Sequence, residues 1–140
     1  MPSVLDASAY LAYVLDEIGA EQVVEAMENG AAISTVNIAE VLTRLVDLSP
    51  PVAARLPAQT DRVALGAATI PGVFDEEPFT LADAALAAAF RPLGRAYGLS
   101  LGDRACLALG RRLGLPVLTS DRIWANLDST RSGVTVQLMR

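Results

Sequence analysis

Acidic residues follow two predicted strands at the point where each strand ends. Asp6 comes directly after the apolar residues 4–5, and Asp121 directly follows the run 116–120. Ligands of an open parallel sheet bind outside the carboxyl ends of its strands, so parallel strands would bring both carboxylates to one edge. Aspartate is also common at strand-to-helix turns, where its side chain accepts hydrogen bonds from free N–H groups. The two positions therefore predict either a shared acidic site or two helix caps.

A third acid, Asp103, lies on the apolar face of its predicted helix, together with Cys106 and Leu107. A carboxylate on an inward face costs several kcal/mol unless hydrogen-bond donors or a cation satisfy it. Ser100, three residues earlier, offers a second interpretation, because the pair matches a capping box and an acid suits the first turn of a helix. Both interpretations stay open. Cys106 is expected to be a small core residue.

Glu40 shows the opposite pattern. The apolar stripe of its predicted helix runs through positions 38, 41, 42, 45 and 48, and Glu40 lies on the polar side. Helical spacing alone therefore favours a solvent-facing pair between Glu40 and Arg44, four residues apart.

The elements that would position these acids alternate between short β-like runs and longer helical ones, which predicts an α/β fold with a mainly parallel sheet. The predicted strands are 3–5, 31–35, 68–74, 117–119 and 134–138. The predicted helices are 8–16 with Ser8 as its cap, 20–28, 36–48, 52–65 with a break or restart at Pro57, 80–97 with a kink or joint at Pro92, and 102–113.

The amino-acid composition excludes several kinds of catalytic and metal-binding site. The 140 residues, 52% hydrophobic and 19% charged, are typical of one globular domain, 1–140. Histidine is absent, all eleven basic residues are arginine, and there is one cysteine, which excludes His-dependent triads, Cys or His zinc sites, Schiff bases and the phosphate-loop lysine. The longest uncharged stretch, 63–74, is shorter than the about 20 residues that a membrane helix needs. No basic flank marks a secretory signal, so a cytoplasmic protein is expected.

Three segments resemble the PIN-domain ribonucleases, and most closely the VapC-type toxins of bacterial toxin–antitoxin pairs. They are SVLDASAYLAYVLDE at 3–17, ISTVNIAEVLTRL at 33–45 and LSLGDRACLALGRRLGLPVLTSDRIWANL at 99–127. The resemblance implies a three-layer α/β sandwich, in which helices flank a central, mainly parallel sheet. It also implies a metal-dependent endoribonuclease.

In that resemblance the acidic quartet is Asp6, Glu40, Asp103 and Asp121. Small hydroxyl residues beside the metal correspond to Ser8 and Ser120, and a further polar residue corresponds to Asn126 or Asp128. A cluster of carboxylates without histidine or cysteine is a hard oxygen site, which favours Mg²⁺ or Mn²⁺.

The partners implied are an RNA substrate, a VapB-like antitoxin and a second copy in a homodimer. The arginines beside the acids, Arg104, Arg111, Arg112 and Arg122, are candidates for RNA phosphates. A solvated helix face is the preferred interpretation for Arg111 and Arg112. The net charge of −5 argues against bulk electrostatic coating of nucleic acid.

Two rival functions share part of this pattern. Receiver domains and haloacid-dehalogenase-like phosphatases also place an aspartate after the first strand, but both need a lysine, which the chain lacks. A PIN-like module that binds RNA or protein without cleaving stays open as the alternative.

Overall fold

The computed structural model describes residues 2–48 and 72–139. The strands are β1 (Ser3–Leu5), β2 (Ala31–Ser34), β3 (Asp75–Glu77), β4 (Val117–Thr119) and β5 (Val136–Leu138). The helices are α1 (Ala7–Val14), α2 (Ala20–Asn29), α3 (Thr35–Leu48), α4 (Leu81–Ala89), α5 (Arg91–Tyr97), α6 (Leu101–Leu113) and α7 (Ser129–Ser132), with a 3-10 turn at Arg122–Asn126. Within these ranges no helix is long and apolar enough to cross a membrane.

The five strands form one sheet in the order β3-β2-β1-β4-β5, and all four pairings are parallel. The three central strands, β2, β1 and β4, are buried along their whole length. Strands of a parallel sheet that is covered on both faces are apolar without alternation, which explains their composition. The predicted α/β fold with a mainly parallel sheet is confirmed.

Successive side chains of the central strands enter two separate cores. Val4, Ala32 and Val117 pack with residues of α4, α5 and α6 on one face of the sheet. Leu5 and Ile33 pack with residues of α1, α2 and α3 on the other face. Because strand side chains alternate in direction, each strand serves both cores. The result is the three-layer sandwich that the resemblance implied.

The start of α1 differs from the prediction. Asp6, not Ser8, is the N-cap, and its side chain accepts a hydrogen bond from the Ala9 N–H. The helix also ends at Val14, since Asp16 adopts a left-handed backbone with φ of 53°. Asp6 is thus the single residue between β1 and α1, and it caps the helix.

Two other predicted elements are refined by the structure. The joint predicted near Pro92 is present: residues 80–97 contain two helices that meet at Phe90, and Pro92 lies in the first turn of the second, where proline is tolerated. The predicted strand 68–74 is not a strand over residues 72–74, and β3 begins at Asp75 instead. The predicted helix 52–65 and residues 68–71 lie outside the described residues.

Candidate active site

Asp6 is a buried carboxylate at the carboxyl end of β1, and only 4% of it is exposed. Its Oδ1 accepts hydrogen bonds from the Ala9 N–H at 2.8 Å and from the Ser8 hydroxyl at 2.7 Å. Its Oδ2 accepts from the Thr119 hydroxyl at 2.5 Å. Burial raises the pKa of Asp6 to about 6 although these hydrogen bonds oppose the shift, and the charge of Asp103 raises it slightly further. The ionised form of such a buried acid would be stabilised by a nearby positive charge.

Thr119 connects Asp6 to the last predicted acid. Its hydroxyl oxygen, which donates to Asp6, accepts from the backbone N–H of Asp121 at 3.0 Å. Strand register accounts for this contact, because the residue after β1 lies beside the last residue of β4. Ser120 is exposed, and its backbone N–H donates to Ser8 Oγ at 3.1 Å. The sequence reasoning missed Thr119; the available signal was a hydroxyl residue at the end of a buried apolar strand.

Asp121 itself is exposed and caps the 3-10 turn, with Oδ1 accepting from the Ile123 N–H at 3.0 Å. Asp128 and Asn126, the two candidates for a further supporting residue, make different contacts. Asp128 caps α7, and the backbone carbonyl of Asn126 accepts from the Tyr97 hydroxyl at 3.0 Å. In the described part of the chain, no hydrogen bond joins either side chain to the other acids.

Asp103 forms the capping box that its spacing from Ser100 predicts. Its backbone N–H donates to Ser100 Oγ at 3.1 Å, and its Oδ2 accepts from the Ser100 N–H at 2.9 Å. Among residues 2–48 and 72–139, Oδ1 of Asp103 has no hydrogen-bond partner. The structural role therefore occupies one carboxylate oxygen and leaves the other for a ligand.

Glu40 reaches the same region from α3. Its Oε1 accepts from Asn37 Nδ2 at 2.7 Å, and Asn37 Nδ2 also donates to the Gly102 carbonyl at 3.1 Å. The predicted ion pair with Arg44 does not form between these two described residues. Partial burial raises the pKa of Glu40, the charge of Asp103 adds to the shift, and the Asn37 hydrogen bond opposes it.

Asn37 is a second residue that the sequence reasoning missed. It is 1% exposed and shares the buried face of α3 with Val41 and Leu45. An amide at the position where the apolar stripe should continue, three residues before an acid, was the available signal.

Asp103 lies near two of the other acids. Glu40 is held against Gly102, the residue before Asp103, and the charge of Asp103 acts on both Asp6 and Glu40. Thr119 joins the Asp6 carboxylate to the backbone N–H of Asp121. Cys106 is fully buried in the core that contains α6, as predicted, and burial raises the pKa of its thiol.

The donor set fits a small, hard divalent cation. Every charged group in the cluster is a carboxylate, and the neighbouring groups are hydroxyls and an amide, which are oxygen ligands or hydrogen-bond donors. Burial, followed by repulsion from Asp103, raises the pKa of Asp6 and of Glu40, and a cation would relieve both effects. Over the described residues, no three acidic or cysteine side chains form a ready-made cage around a metal ion.

Three of the four arginines beside the acids bind the protein itself. Arg104 and Arg111 donate to backbone carbonyls in α4 and α7, at 2.9 and 3.1 Å, and Arg112 donates to the buried Asp83 carboxylate at 2.6 Å. Arg122 is exposed and directly follows Asp121. Of these four, Arg122 is the one best placed to contact a ligand.

Comparisons with known proteins agree with this architecture. The sequence profile named PIN domain matches residues 3–129. A toxin–antitoxin complex from Klebsiella pneumoniae contains a chain that is 21% identical, with a TM-score of 0.62, over 89% of this chain and 92% of that chain. For VapBC2 from Rickettsia felis, bound to promoter DNA, the identity is 12% and the TM-score 0.67 over 100% of both chains. For VapBC-5 from Mycobacterium tuberculosis the values are 22% and 0.55, over 99% and 98%.

No curated relative matches the sequence significantly. At these identities the solved structures establish a shared fold. The profile match extends over most of the chain and includes all four acids of the cluster. The chain therefore belongs to the PIN-domain family.

Proposed function

We propose that this PIN domain is a divalent-metal-dependent endoribonuclease and the toxin of a VapBC-type pair. The observation that carries the proposal is that Glu40 is held against Gly102, the residue before Asp103, while Thr119 joins the Asp6 carboxylate to the backbone of Asp121. PIN domains are typically nucleases that use divalent metal ions.

In this proposal Asp6, Glu40, Asp103 and Asp121 hold Mg²⁺ or Mn²⁺. When bound, such an ion lowers the pKa of a water molecule and stabilises the charge that develops on a phosphodiester under attack. The protein's own contribution is to fix the carboxylates. Ser8 and Thr119 hold the two oxygens of Asp6 in place, and a backbone N–H holds Oδ1 of Asp121. Above a pH of about 6, Asp6 is mostly ionised and ready to bind a cation.

RNA would approach a chain that carries a net charge of −5, so local contacts must provide the attraction. Arg122 supplies an exposed guanidinium next to Asp121, and guanidinium groups bind phosphate oxygens with two parallel hydrogen bonds. Bound cations would reduce the acidic charge at the same place.

The alternative is a PIN-like module that binds RNA or protein without cleaving it. Helix capping supports this alternative, because Asp6, Asp103 and Asp121 each cap a helix or a turn and so have a structural reason to be present. Capping does not explain why Glu40 is held against Gly102, the residue before Asp103.

A cleavage assay separates the two functions. Purified protein is incubated with end-labelled RNA in EDTA, in Mg²⁺ and in Mn²⁺, alongside Asp6→Asn and Asp103→Asn. We expect cleavage in either metal, none in EDTA and none by the two variants at unchanged circular dichroism. Asp75→Asn, at an exposed position in β3, is the matched control that should cleave normally. Full cleavage by Asp103→Asn, or cleavage in EDTA, would contradict the proposal.

The proposed partners are a VapB-like antitoxin and a second copy of the chain. The antitoxin is supported by the solved structures of similar fold, which are VapBC and other toxin–antitoxin complexes. Expression of the chain alone should stop growth, and co-expression with the polypeptide encoded immediately upstream should restore it and yield a co-purifying complex. Harmless accumulation of folded, metal-loaded protein would count against a toxin. Light scattering of the purified chain tests the homodimer.

A further inference from the structure

Glu40 lies on the polar side of α3, yet its carboxylate is held against α6. We infer that Asn37 and Gly102 form a seat that positions this carboxylate beside Asp103, which makes both of them positioning residues for cation binding. The inference rests on the proposed function, because it assigns these residues to the metal site named there. The pair is called the Glu40 seat below.

Gly102 makes room for the carboxylate. A Cβ atom at this position would lie less than 3.0 Å from Oε1, Cδ and Oε2 of Glu40, a separation that Cβ atoms essentially never show. No other residue's side chain is among the three nearest atoms. Any side chain larger than hydrogen would therefore displace Glu40.

Backbone conformation does not explain this glycine. Gly102 lies in the first turn of α6 and is absent from the glycines with positive φ. Gly98 and Gly114 are the contrasting cases: both have φ of 66° and open space where a Cβ would be. Alanine is also the better helix former, so stability alone would favour a side chain at position 102.

Asn37 supplies the other half of the seat. Its Nδ2 donates to Glu40 Oε1 at 2.7 Å and to the Gly102 carbonyl at 3.1 Å, so a single amide group joins the acid to the helix beside it. Its Oδ1 is buried and, within the described residues, has no hydrogen-bond partner. A buried oxygen without a partner reduces stability, which an apolar residue on this stripe would avoid. Stability is given up here for a contact to Glu40, as at many functional sites.

The consequence is preorganisation. A glutamate on an exposed helix surface samples several rotamers, and a cation must then order the side chain when it binds. The Glu40 seat fixes the carboxylate beforehand, and losses of such supporting contacts typically weaken metal binding by about 10- to 100-fold.

Mn²⁺ binding to the metal-free protein tests the seat without an activity assay. Free Mn²⁺ is measured by electron paramagnetic resonance during titration of the wild type, Gly102→Ala, Asn37→Ala and Glu40→Ala. We expect Gly102→Ala to weaken binding at least about tenfold. Its melting temperature should not fall, since the displaced group is the end of a flexible side chain. Leu101→Ala, an exposed neighbour in the same turn, is the matched control and should bind like the wild type.

A double-mutant cycle tests whether Gly102 and Asn37 affect Mn²⁺ binding through Glu40. In the Glu40→Ala background, Gly102→Ala and Asn37→Ala should cause no further loss, because the carboxylate that they position is already gone. An equal loss in both backgrounds would overturn the inference, since these residues would then act through α6 or Asp103.

The same titration separates the inference from the proposed function. No Mn²⁺ binding by the wild type, or unchanged binding by Glu40→Ala, would contradict the proposed metal site. Binding that Glu40→Ala weakens but that Gly102→Ala and Asn37→Ala leave unchanged would overturn the Glu40 seat alone.

Discussion

The Thr119 hydroxyl donates to Oδ2 of Asp6 across two neighbouring parallel strands, at 2.5 Å. The same oxygen of Thr119 accepts the backbone N–H of Asp121, so one hydroxyl holds the ends of β1 and β4 together. It lies at the centre of the candidate site although it is neither charged nor exposed.

Replacement of this hydroxyl should therefore be costly. Thr119→Val keeps the shape but removes a donor from a buried carboxylate, so we expect a loss of about 1–3 kcal/mol in the free energy of unfolding near neutral pH. The loss should shrink in acid, where Asp6 is protonated and needs the donor less. Urea denaturation at both pH values measures the difference, with Thr119→Ser as the hydroxyl-retaining control. Equal stability of the two variants would argue against the role of this bond.

The stability of the metal-free protein should depend on pH through Asp6. Its pKa is raised from 3.8 to about 6 on folding, so the folded state binds the proton more tightly than the unfolded state. The stability contributed by this group is present below about pH 4 and is lost as the pH rises through about 6, by at most about 3 kcal/mol. Denaturation in EDTA across this range measures the slope. Asp6→Asn should flatten it, and an unchanged slope in that variant would assign the pH dependence to other groups.

The two roles of Asp103 should separate by mutation. Ser100→Ala removes the cap of α6 and should cost about 1 kcal/mol of stability, while the stabilisation by Mn²⁺ stays. Asp103→Asn keeps an oxygen for the Ser100 N–H, so stability in EDTA should hold or rise and the Mn²⁺ response should weaken. At about a hundredfold excess over Kd, the wild-type response should be about 2.7 kcal/mol. A less stable Asp103→Asn protein with a full Mn²⁺ response would make Asp103 a cap only.

Arg122 should contribute to RNA binding. Removal of one phosphate contact weakens binding of all sequences and makes the salt dependence shallower by about one unit of logarithmic slope. Arg122→Ala is therefore expected to raise KM with little effect on kcat, and Arg131→Ala, at another exposed arginine, in α7, serves as the charge-matched control. Identical kinetics of both variants would remove Arg122 from the RNA surface. Cleavage rates at two salt concentrations provide the measurement.

The predicted fold and most of the cluster follow from local patterns. Apolar runs that end in Asp6 and Asp121 placed both acids at the carboxyl edge of the sheet, and the Ser100 spacing predicted a capping box correctly. Helical spacing wrongly favoured a solvent-facing Glu40. Periodicity describes a single helix, whereas the Glu40 carboxylate packs against a different helix, α6. The prediction of Ser8 as the cap of α1 was wrong, because Asp6, a second hydrogen-bond acceptor two residues earlier, is the N-cap.

The edge strand β3 shows a further limit. Its three residues are acidic and largely exposed, so neither alternation nor an apolar run marks it. Exposed edge strands commonly carry charge, which prevents pairing with other chains. Its strand conformation follows from pairing with β2 and not from its own composition.

Asp6 also joins the acidic cluster to the first turn of α1, because its Oδ1 accepts the Ala9 N–H at 2.8 Å. Any change of charge at this carboxylate alters the polarisation of that amide proton. The nuclear magnetic resonance signal of the Ala9 amide should therefore shift as Asp6 takes up a proton or a diamagnetic ion such as Mg²⁺, and its exchange with deuterated solvent should slow when an ion is bound. A single backbone amide of α1 thus provides a spectroscopic probe of the occupancy of the site, without substrate and without mutation.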